Sequence, residues 1–238
     1  MFGVGLMLEL KNITISLKKD GRTVVENFSF SLNKGEKAVM IGEEGNGKST
    51  LLKFIYSHEL IEDYCAFSGE VITKGKTAYL PQFMDKKYYP LSLLEYFGDT
   101  EYYLHTDTLS RLGLSVDFIL SEQKIGTLSG GERVKIQLAR LLMDEPDILL
   151  LDEPTNDLDI TTTRSLEEAI GSFAGVVMVI SHDRYFLDRV CTHILAFENN
   201  SEVHFVEGSW SDYVEWRKNV LGIEDDIPHK TVYRKLTK

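Results

Sequence analysis

Eight residues from Gly42 to Ser49 have the types and the spacing of a loop that binds phosphate groups. The segment reads Gly-Glu-Glu-Gly-Asn-Gly-Lys-Ser and fits the pattern G-x-x-x-x-G-K-[ST]. Glycines in this pattern let backbone N–H groups point at phosphate oxygens, the lysine brings a positive charge to the outer phosphates, and the serine hydroxyl reaches Mg²⁺. A helix predicted at 49–56 adds its positive N-terminal end. The predicted nucleotide contacts are Gly42, Glu43, Glu44, Gly45, Asn46, Gly47, Lys48, Ser49 and Thr50, and Ser49 is also a predicted Mg²⁺ ligand.

A second glycine motif, Leu128-Ser129-Gly130-Gly131-Glu132, precedes an amphipathic helix predicted at 131–143. Backbone N–H groups at a helix N-terminus can bind phosphate. The first loop, however, already occupies the phosphates of the chain's own nucleotide. We therefore predict that Ser129, Gly130 and Gly131 contact a nucleotide held by another copy or another domain. One such domain has only half of each site, so dimerisation is required.

Two adjacent carboxylates, Asp152 and Glu153, follow an apolar run at 148–151 that has the character of a buried strand. Open α/β sheets bind their ligands at the carboxyl ends of strands. Because neighbouring residues at a strand end face opposite ways, the two carboxylates can have different roles. We predict that Asp152 takes part in Mg²⁺ coordination and that Glu153 polarises the water that attacks the γ-phosphate. Taken alone, the pair also fits an acidic turn before Pro154.

Gln82 and His182 follow two further predicted strands, at 78–81 and 176–180. The amide of Gln82 is expected to reach Mg²⁺ or the attacking water and to link the core to a helical segment. His182 is predicted to contact the γ-phosphate and to take part in catalysis. Considered singly, a glutamine is more often a surface residue and a histidine more often a structural one. Both assignments therefore depend on the order of the motifs along the chain.

The spacing of apolar residues predicts the elements that hold these side chains. Alternation at 8–17 indicates an edge-type strand, and 24–32 alternates again, so that the two form a small antiparallel sheet. The apolar runs at 38–41, 148–151 and 176–180 are typical of buried parallel strands. These strands predict a mostly parallel core sheet, with the phosphate loop directly after the strand at 38–41.

Helical segments complete the predicted fold. A helix at 161–173 joins two of the parallel strands in a crossover unit, and helical spacing makes 83–128 a helical insert. The predicted fold class is α/β, with a mostly parallel core sheet, an N-terminal antiparallel β subdomain and a helical subdomain. The chain is expected to form a single domain over 1–238, with a C-terminal tail at 222–238.

Composition excludes several classes of protein. The 238 residues are 43% hydrophobic, which suits a globular core, and no apolar run approaches the ~20 residues of a membrane span. The net charge of −11 argues against a surface that binds nucleic acid non-specifically. Cys65 and Cys191 lie far apart and are expected to be reduced thiols of a cytoplasmic protein. The basic segment 229–238 fits either a solvated tail or an arm that contacts RNA or a partner.

Taken together, these motifs resemble the ATP-binding cassette (ABC) family over essentially the whole chain. The segments Asp152-Glu-Pro-Thr-Asn-Asp-Leu-Asp159 and Ser181-His-Asp-Arg-Tyr-Phe-Leu-Asp-Arg189 resemble its ABC-F group of translation-associated ATPases, which lack membrane domains. The segments 192–198 and 228–236 are similar to the second nucleotide-binding domain of the translational throttle family within that group. The fold implied is the P-loop NTPase fold of an ABC cassette.

The resemblance implies a set of ligands and partners. It implies ATP and Mg²⁺ as cofactors, hydrolysis at an interface with a second ABC cassette, and ATP-gated binding at the ribosomal exit site. The second cassette is expected in a homodimer, fused to this one or on a separate chain. The resemblance also places Leu17 at the position of the family's adenine-stacking aromatic residue. No insertion into a membrane is expected.

Three departures from the ABC-F pattern affect these expectations. The group usually carries two cassettes joined by a basic helical linker, whereas this chain has one cassette and no linker. Leu17 keeps apolar contact with the base but loses stacking, so base specificity is expected to be loose. Glu43 and Glu44 replace Pro-Asn, and their carboxylates are expected to point to solvent, away from the triphosphate. The alternatives are the ATP-binding subunit of an ABC membrane transporter and an ATP-dependent switch with little turnover.

Overall fold

Nine strands in two sheets form the framework of the described part of the chain. The computed structural model describes residues 5–98, 101–156, 158–197 and 201–222. The segments quoted from 223–238 lie outside these residues, as does all but the first residue of the predicted tail. The strands are β1 (Leu6–Leu17), β2 (Thr23–Asn33), β3 (Lys37–Gly42), β4 (Cys65–Thr73), β5 (Thr77–Leu80), β6 (Ile148–Asp152), β7 (Val176–Ile180), β8 (His193–Phe197) and β9 (Val203–Glu207).

The helices connect these strands and cover the larger sheet. Several short 3₁₀ turns accompany them, including His58–Leu60 and Ile125–Thr127. Within 83–128 the described residues form short helices and turns, together with one isolated bridge between Ser92 and Lys124. The α-helices are α1 (Lys48–Tyr56), α2 (Leu93–Phe97), α3 (Thr106–Arg111), α4 (Val116–Ile119), α5 (Gly130–Met143), α6 (Ile160–Ser172), α7 (Arg184–Val190) and α8 (Trp210–Leu221).

The larger sheet is mostly parallel, which confirms the predicted fold class. Its strand order is β5-β6-β7-β3-β8-β9, and only the β8–β9 pair is antiparallel. Every residue of β6, β7 and β8 is buried, as expected for parallel strands covered on both faces. Helix α6 connects β6 to its parallel neighbour β7, the predicted crossover unit.

The smaller sheet corrects one prediction. Strand β1 was expected at an edge, but the order β2-β1-β4 places it in the centre. Leu17 at the end of β1 is paired with Cys65 of β4, a strand that the sequence reading did not identify. The alternation in β1 reflects one face packed on the core and one face near solvent, and this pattern is the same for an edge strand and a central strand of a half-buried sheet.

Two apolar clusters lie on opposite faces of the larger sheet. Val177 and Val179 of β7 join the cluster that includes α5, α6 and α7, whereas Val176, Met178 and Ile180 join the cluster formed with α1 and the smaller sheet. The larger sheet therefore carries helices on one face, and α1 with the antiparallel sheet on the other. The phosphate loop between β3 and α1 lies at the carboxyl edge of this buried layer.

Candidate active site

The glycine loop turns directly from the central strand β3 into α1. Gly42 has φ 137°, and a Cβ built on it would lie 2.4 Å from the carbonyl oxygen of Phe197. Gly47, the N-cap residue of α1, has φ 92°, and a Cβ there would lie 2.8 Å from Cβ of Val24. Both positions therefore require glycine. The tight turn leaves the first N–H groups of α1 available to an anion, since no side chain caps this end.

Lys48 is buried within this loop. Its Nζ donates hydrogen bonds of 2.7 Å to the carbonyl oxygens of Gly42 and Glu43. Burial lowers the pKa of the Lys48 ammonium, and the nearby carboxylates, of which Glu153 has the largest effect, oppose this shift. The side chain thus lies inside the curve of the loop, where its amino group can contact a phosphate. The carboxylates of Glu43 and Glu44 belong to exposed residues.

Asp152 ends β6 with its side chain beneath the start of α1. It is 2% exposed, and it accepts hydrogen bonds from Ser49 Oγ at 2.8 Å and from the Tyr79 hydroxyl at 3.0 Å. Burial raises the pKa of this carboxyl group, and the two hydrogen bonds oppose the shift. Ser49 and Asp152 supply adjacent oxygen atoms, which is the chemistry that Mg²⁺ prefers. The residues present therefore fit the predicted metal.

Glu153 faces a different set of residues. Its Oε2 accepts hydrogen bonds from the Gln82 amide at 2.7 Å and from the Asn156 amide, and its Oε1 lies 3.9 Å from His182 Nε2. Its backbone has φ 49°, a left-handed conformation that is uncommon outside glycine. Such conformations persist where the surrounding structure enforces them, and they cluster at functional sites. The two adjacent carboxylates therefore have separate partners, and Gln82 here binds Glu153 and not Asp152.

One cavity of about 450 Å³ brings many of the predicted residues together. Residues of the phosphate loop, of α1, of the end of β1 and of the start of β2 line it. Gln82 and Glu153 complete the wall near the loop. The size falls in the range of small-molecule sites. The lining residues are Leu17, Arg22, Val24, Glu44, Gly45, Gly47, Lys48, Ser49, Thr50, Gln82 and Glu153.

A second cavity of about 390 Å³ takes the remaining loop residues. Gly42, Glu43, Asn46 and His182 are among the residues that line it, and none of its lining residues lines the first cavity. Residues of the phosphate loop therefore line both cavities. Glu153, which lines the first cavity, lies 3.9 Å from His182, which lines the second.

The predicted residues Ser129, Gly130 and Gly131 are not brought to the phosphate loop. They line neither cavity, and Ser129 is the N-cap of α5, where its Oγ accepts from the Glu132 amide. Ser129 and Gly130 are exposed, whereas Gly131 is buried near Thr162. A contact between this motif and a nucleotide on a second cassette stays a prediction.

Among the site residues that were not identified from sequence, three have contacts that bear on the chemistry. Tyr79 contacts Asp152, Asn156 contacts Glu153, and Arg22 lines the nucleotide-sized cavity. Tyr79 and Asn156 lie three residues from predicted site residues, but their types alone fit a strand and a turn. Arg22 directly precedes β2, and only the fold brings it to the loop.

The contact between Tyr79 and Asp152 leads to a prediction. The variant Tyr79→Phe should raise the Mg²⁺ concentration needed for half-maximal binding of a fluorescent ATP analogue about tenfold, because partners of metal ligands typically change metal affinity by 10–100-fold. The control is Tyr56→Phe, which makes the same change in a neighbouring tyrosine whose ring centroid lies 5.4 Å from that of Tyr79. Binding without Mg²⁺ should be equal in all three proteins. A Mg²⁺ titration of Tyr79→Phe that superimposes on that of the wild type would contradict the role.

The match to a known family agrees with this geometry. A family model described as ABC transporter matches residues 25–156, more than half of the chain, so the chain belongs to the ABC family. Domains of this family bind ATP with Mg²⁺, hydrolyse it and work in pairs.

Individual relatives include the energy-dependent translational throttle protein EttA from several bacteria. EttA of Haemophilus influenzae (strain ATCC 51907 / DSM 11121 / KW20 / Rd) is 38% identical over 98% of this chain. EttA of Escherichia coli (strain K12) is 37% identical over 98%, and the ABC transporter ATP-binding protein YfmR of Bacillus subtilis (strain 168) is 36% identical over 89%. The chain spans 42% of either EttA and 34% of YfmR. The resemblance to the throttle family is thereby confirmed.

A solved structure confirms the fold. A metal-chelate type ABC transporter in an inward-facing conformation superposes with a TM-score of 0.70, at 23% identity, over 85% of this chain and 83% of that one. Among the helices of residues 5–98, 101–156, 158–197 and 201–222, none has the length and apolar character needed to cross a bilayer.

Proposed function

We propose that this chain is an ATPase cassette of the ABC-F type, which binds Mg-ATP at an interface with a second cassette and acts on the ribosome in the cytoplasm. The observation that carries the ATPase assignment is the position of Glu153. Its carboxylate is held by Gln82 and Asn156, next to His182, on the wall of a cavity that also contains Lys48.

The phosphates of ATP bind along the glycine loop. Backbone N–H groups from Gly45 to Thr50 surround the β-phosphate, and Lys48 turns from the carbonyl groups of its own loop to the outer phosphates. Ser49 and Asp152 hold Mg²⁺, which neutralises charge on the phosphate oxygens when it is bound. Tyr79 keeps the Asp152 carboxylate in one orientation.

Glu153 is the general base for the attacking water. The Gln82 and Asn156 amides donate to Oε2, so the carboxylate plane is fixed and Oε1 accepts the proton of the water as it attacks the γ-phosphorus. The products are ADP and phosphate. His182 lies on the Oε1 side at 3.9 Å, where it can contact the γ-phosphate as the charge on its oxygens changes.

The second cassette completes the site. Ser129 and Gly130 are exposed at the N-terminus of the fourteen-residue helix α5, away from the chain's own loop. They bind the nucleotide of the partner cassette, and the partner's equivalent motif binds the nucleotide of this one. ATP therefore closes the pair, and hydrolysis opens it.

The ribosome is proposed because of the EttA relatives, whose name describes a throttle on translation. Pelleting through a sucrose cushion with ribosomes tests this proposal. We expect the chain to pellet with ribosomes in the presence of a non-hydrolysable ATP analogue and to remain in the supernatant with ADP. The control, Lys48→Ala, should remain in the supernatant with either nucleotide.

The opposite results would redirect the assignment. Equal pelleting with the analogue and with ADP, or no pelleting at all, would contradict an ATP-gated ribosome factor. Co-purification with an integral membrane protein would favour the transporter subunit instead. Neither result would affect the ATPase assignment, which is tested separately.

A further inference from the structure

The part of the nucleotide cavity that is lined by Leu17, Arg22 and Val24 has an unusual composition for a site that holds a nucleobase. We propose that the guanidinium group of Arg22, and not an aromatic ring, holds the purine, and that the domain therefore accepts GTP as well as ATP. This inference rests on the proposed nucleotide site and defines its substrate class more closely. It concerns the affinity of the domain for Mg-ATP and Mg-GTP.

The position of Arg22 is fixed by backbone and side-chain contacts. The amide of Leu17 donates to the Arg22 carbonyl oxygen at 2.8 Å, so the turn between β1 and β2 is closed and the two residues lie opposite each other. Arg22 Nη2 donates to the carbonyl oxygen of Gly45 at 3.1 Å. This bond ties the guanidinium group to the phosphate loop, on the cavity wall that includes Leu17 and Val24.

The arrangement determines where a nucleotide base can lie. With the triphosphate along the loop from Gly45 to Thr50, we place the base against the part of the lining that Leu17, Arg22 and Val24 supply. No aromatic side chain lines this cavity in the part of the chain that the structure describes. The base therefore contacts two aliphatic side chains and one planar cation.

A guanidinium group suits a purine of either kind. It is planar, and it stacks on aromatic faces through cation–π attraction, which depends on the ring and hardly on its substituents. It also carries only hydrogen-bond donors. Adenine and guanine both present ring-nitrogen acceptors, and guanine adds the oxygen O6, which arginine binds well.

Rejection of guanine would require polar groups that Leu17, Arg22 and Val24 do not supply. Strong discrimination arises when a site leaves its own buried polar groups unpaired with the wrong substrate. The other polar side chains of the lining, such as Lys48, Ser49 and Glu153, contact the phosphates, the metal or the water in the proposed function. Glu44 belongs to the phosphate loop, next to Gly45. The exposed Asp20 carboxylate is bonded to the Arg22 amide and does not line the cavity.

The test compares dissociation constants of Mg-ATP and Mg-GTP, measured on the wild-type chain by displacement of a fluorescent ATP analogue. We expect the two values to differ by less than tenfold. A preference for ATP greater than tenfold would overturn the inference and leave the proposed function intact. Failure to bind either nucleotide would instead contradict the proposed function.

Three variants test the role of Arg22. Arg22→Ala should weaken both nucleotides to a similar extent, by about 3- to 30-fold, which corresponds to the range of cation–π attractions. Arg22→Lys should not restore full affinity, because an ammonium group lacks the planar face. Lys19→Ala, in the same exposed turn, is the matched control and should bind like the wild type. Wild-type affinity of Arg22→Ala for both nucleotides would overturn the assignment.

Discussion

Glu153→Gln should abolish ATP turnover and leave ATP binding intact. Loss of the general base is expected to lower kcat by about 10²–10⁴-fold, because glutamine cannot accept the proton of the attacking water. Glutamine keeps the size of the side chain and an oxygen that can accept from Gln82 or Asn156, so the fold should be unaffected. Phosphate release at saturating Mg-ATP measures the change. Sedimentation with ATP should then detect a stabilised dimer, because hydrolysis no longer opens it.

The control for this variant is Glu122→Gln, which changes an exposed carboxylate within 83–128. It should hydrolyse ATP at the wild-type rate. If Glu153→Gln also kept that rate, Glu153 would not be the base and the ATPase mechanism would be wrong. If the variant remained monomeric with saturating ATP at high protein concentration, the composite site would be wrong.

Lys48→Ala should weaken ATP binding itself. The ammonium group is buried within the loop, and hydrogen bonds to charged partners contribute about 1.5–3 kcal/mol each. The affinity for Mg-ATP is therefore expected to fall by about 10- to 100-fold, as measured by isothermal titration calorimetry. The rate of hydrolysis at a fixed, low ATP concentration should decrease by at least the same factor.

The matched control is Lys86→Ala, which removes an exposed lysine that lines neither of the two cavities at the phosphate loop. Its affinity should equal that of the wild type. Thermal unfolding without nucleotide should show that Lys48→Ala is folded, since the carbonyl groups of Gly42 and Glu43 remain close to water at the cavity. Equal affinities of the two variants would contradict the role of Lys48.

The parallel core was predictable from sequence because burial on both faces leaves a continuous apolar run. The strands at 148–152 and 176–180 show this directly, and every residue in them is buried. The glycine loop was predictable because its backbone conformation demands glycine at set positions. Asp152, Glu153, Gln82 and His182 were then predicted as site residues from their positions at or just after the ends of strands.

The smaller sheet was harder to predict for a physical reason. In β4 only Cys65 is buried, and the other residues are exposed or half-buried, so the strand shows no apolar alternation. Its existence depends on pairing with β1, which is set by the whole fold. The same holds for the side-chain pairs of the site. The contacts of Tyr79, Asn156 and Arg22 arise from spatial proximity, which residue types and spacing do not encode.

The central position of β3 has a consequence for synthesis of the protein. This strand leads into the glycine loop, yet it lies between β7 and β8, at residues 176–180 and 193–197. A growing polypeptide that has emerged only as far as the loop lacks both neighbours, and such distant pairings form late. Nucleotide stabilises only a state that can bind it. Intermediates that end before Phe197 should therefore be equally open to proteases with and without ATP in the translation mixture.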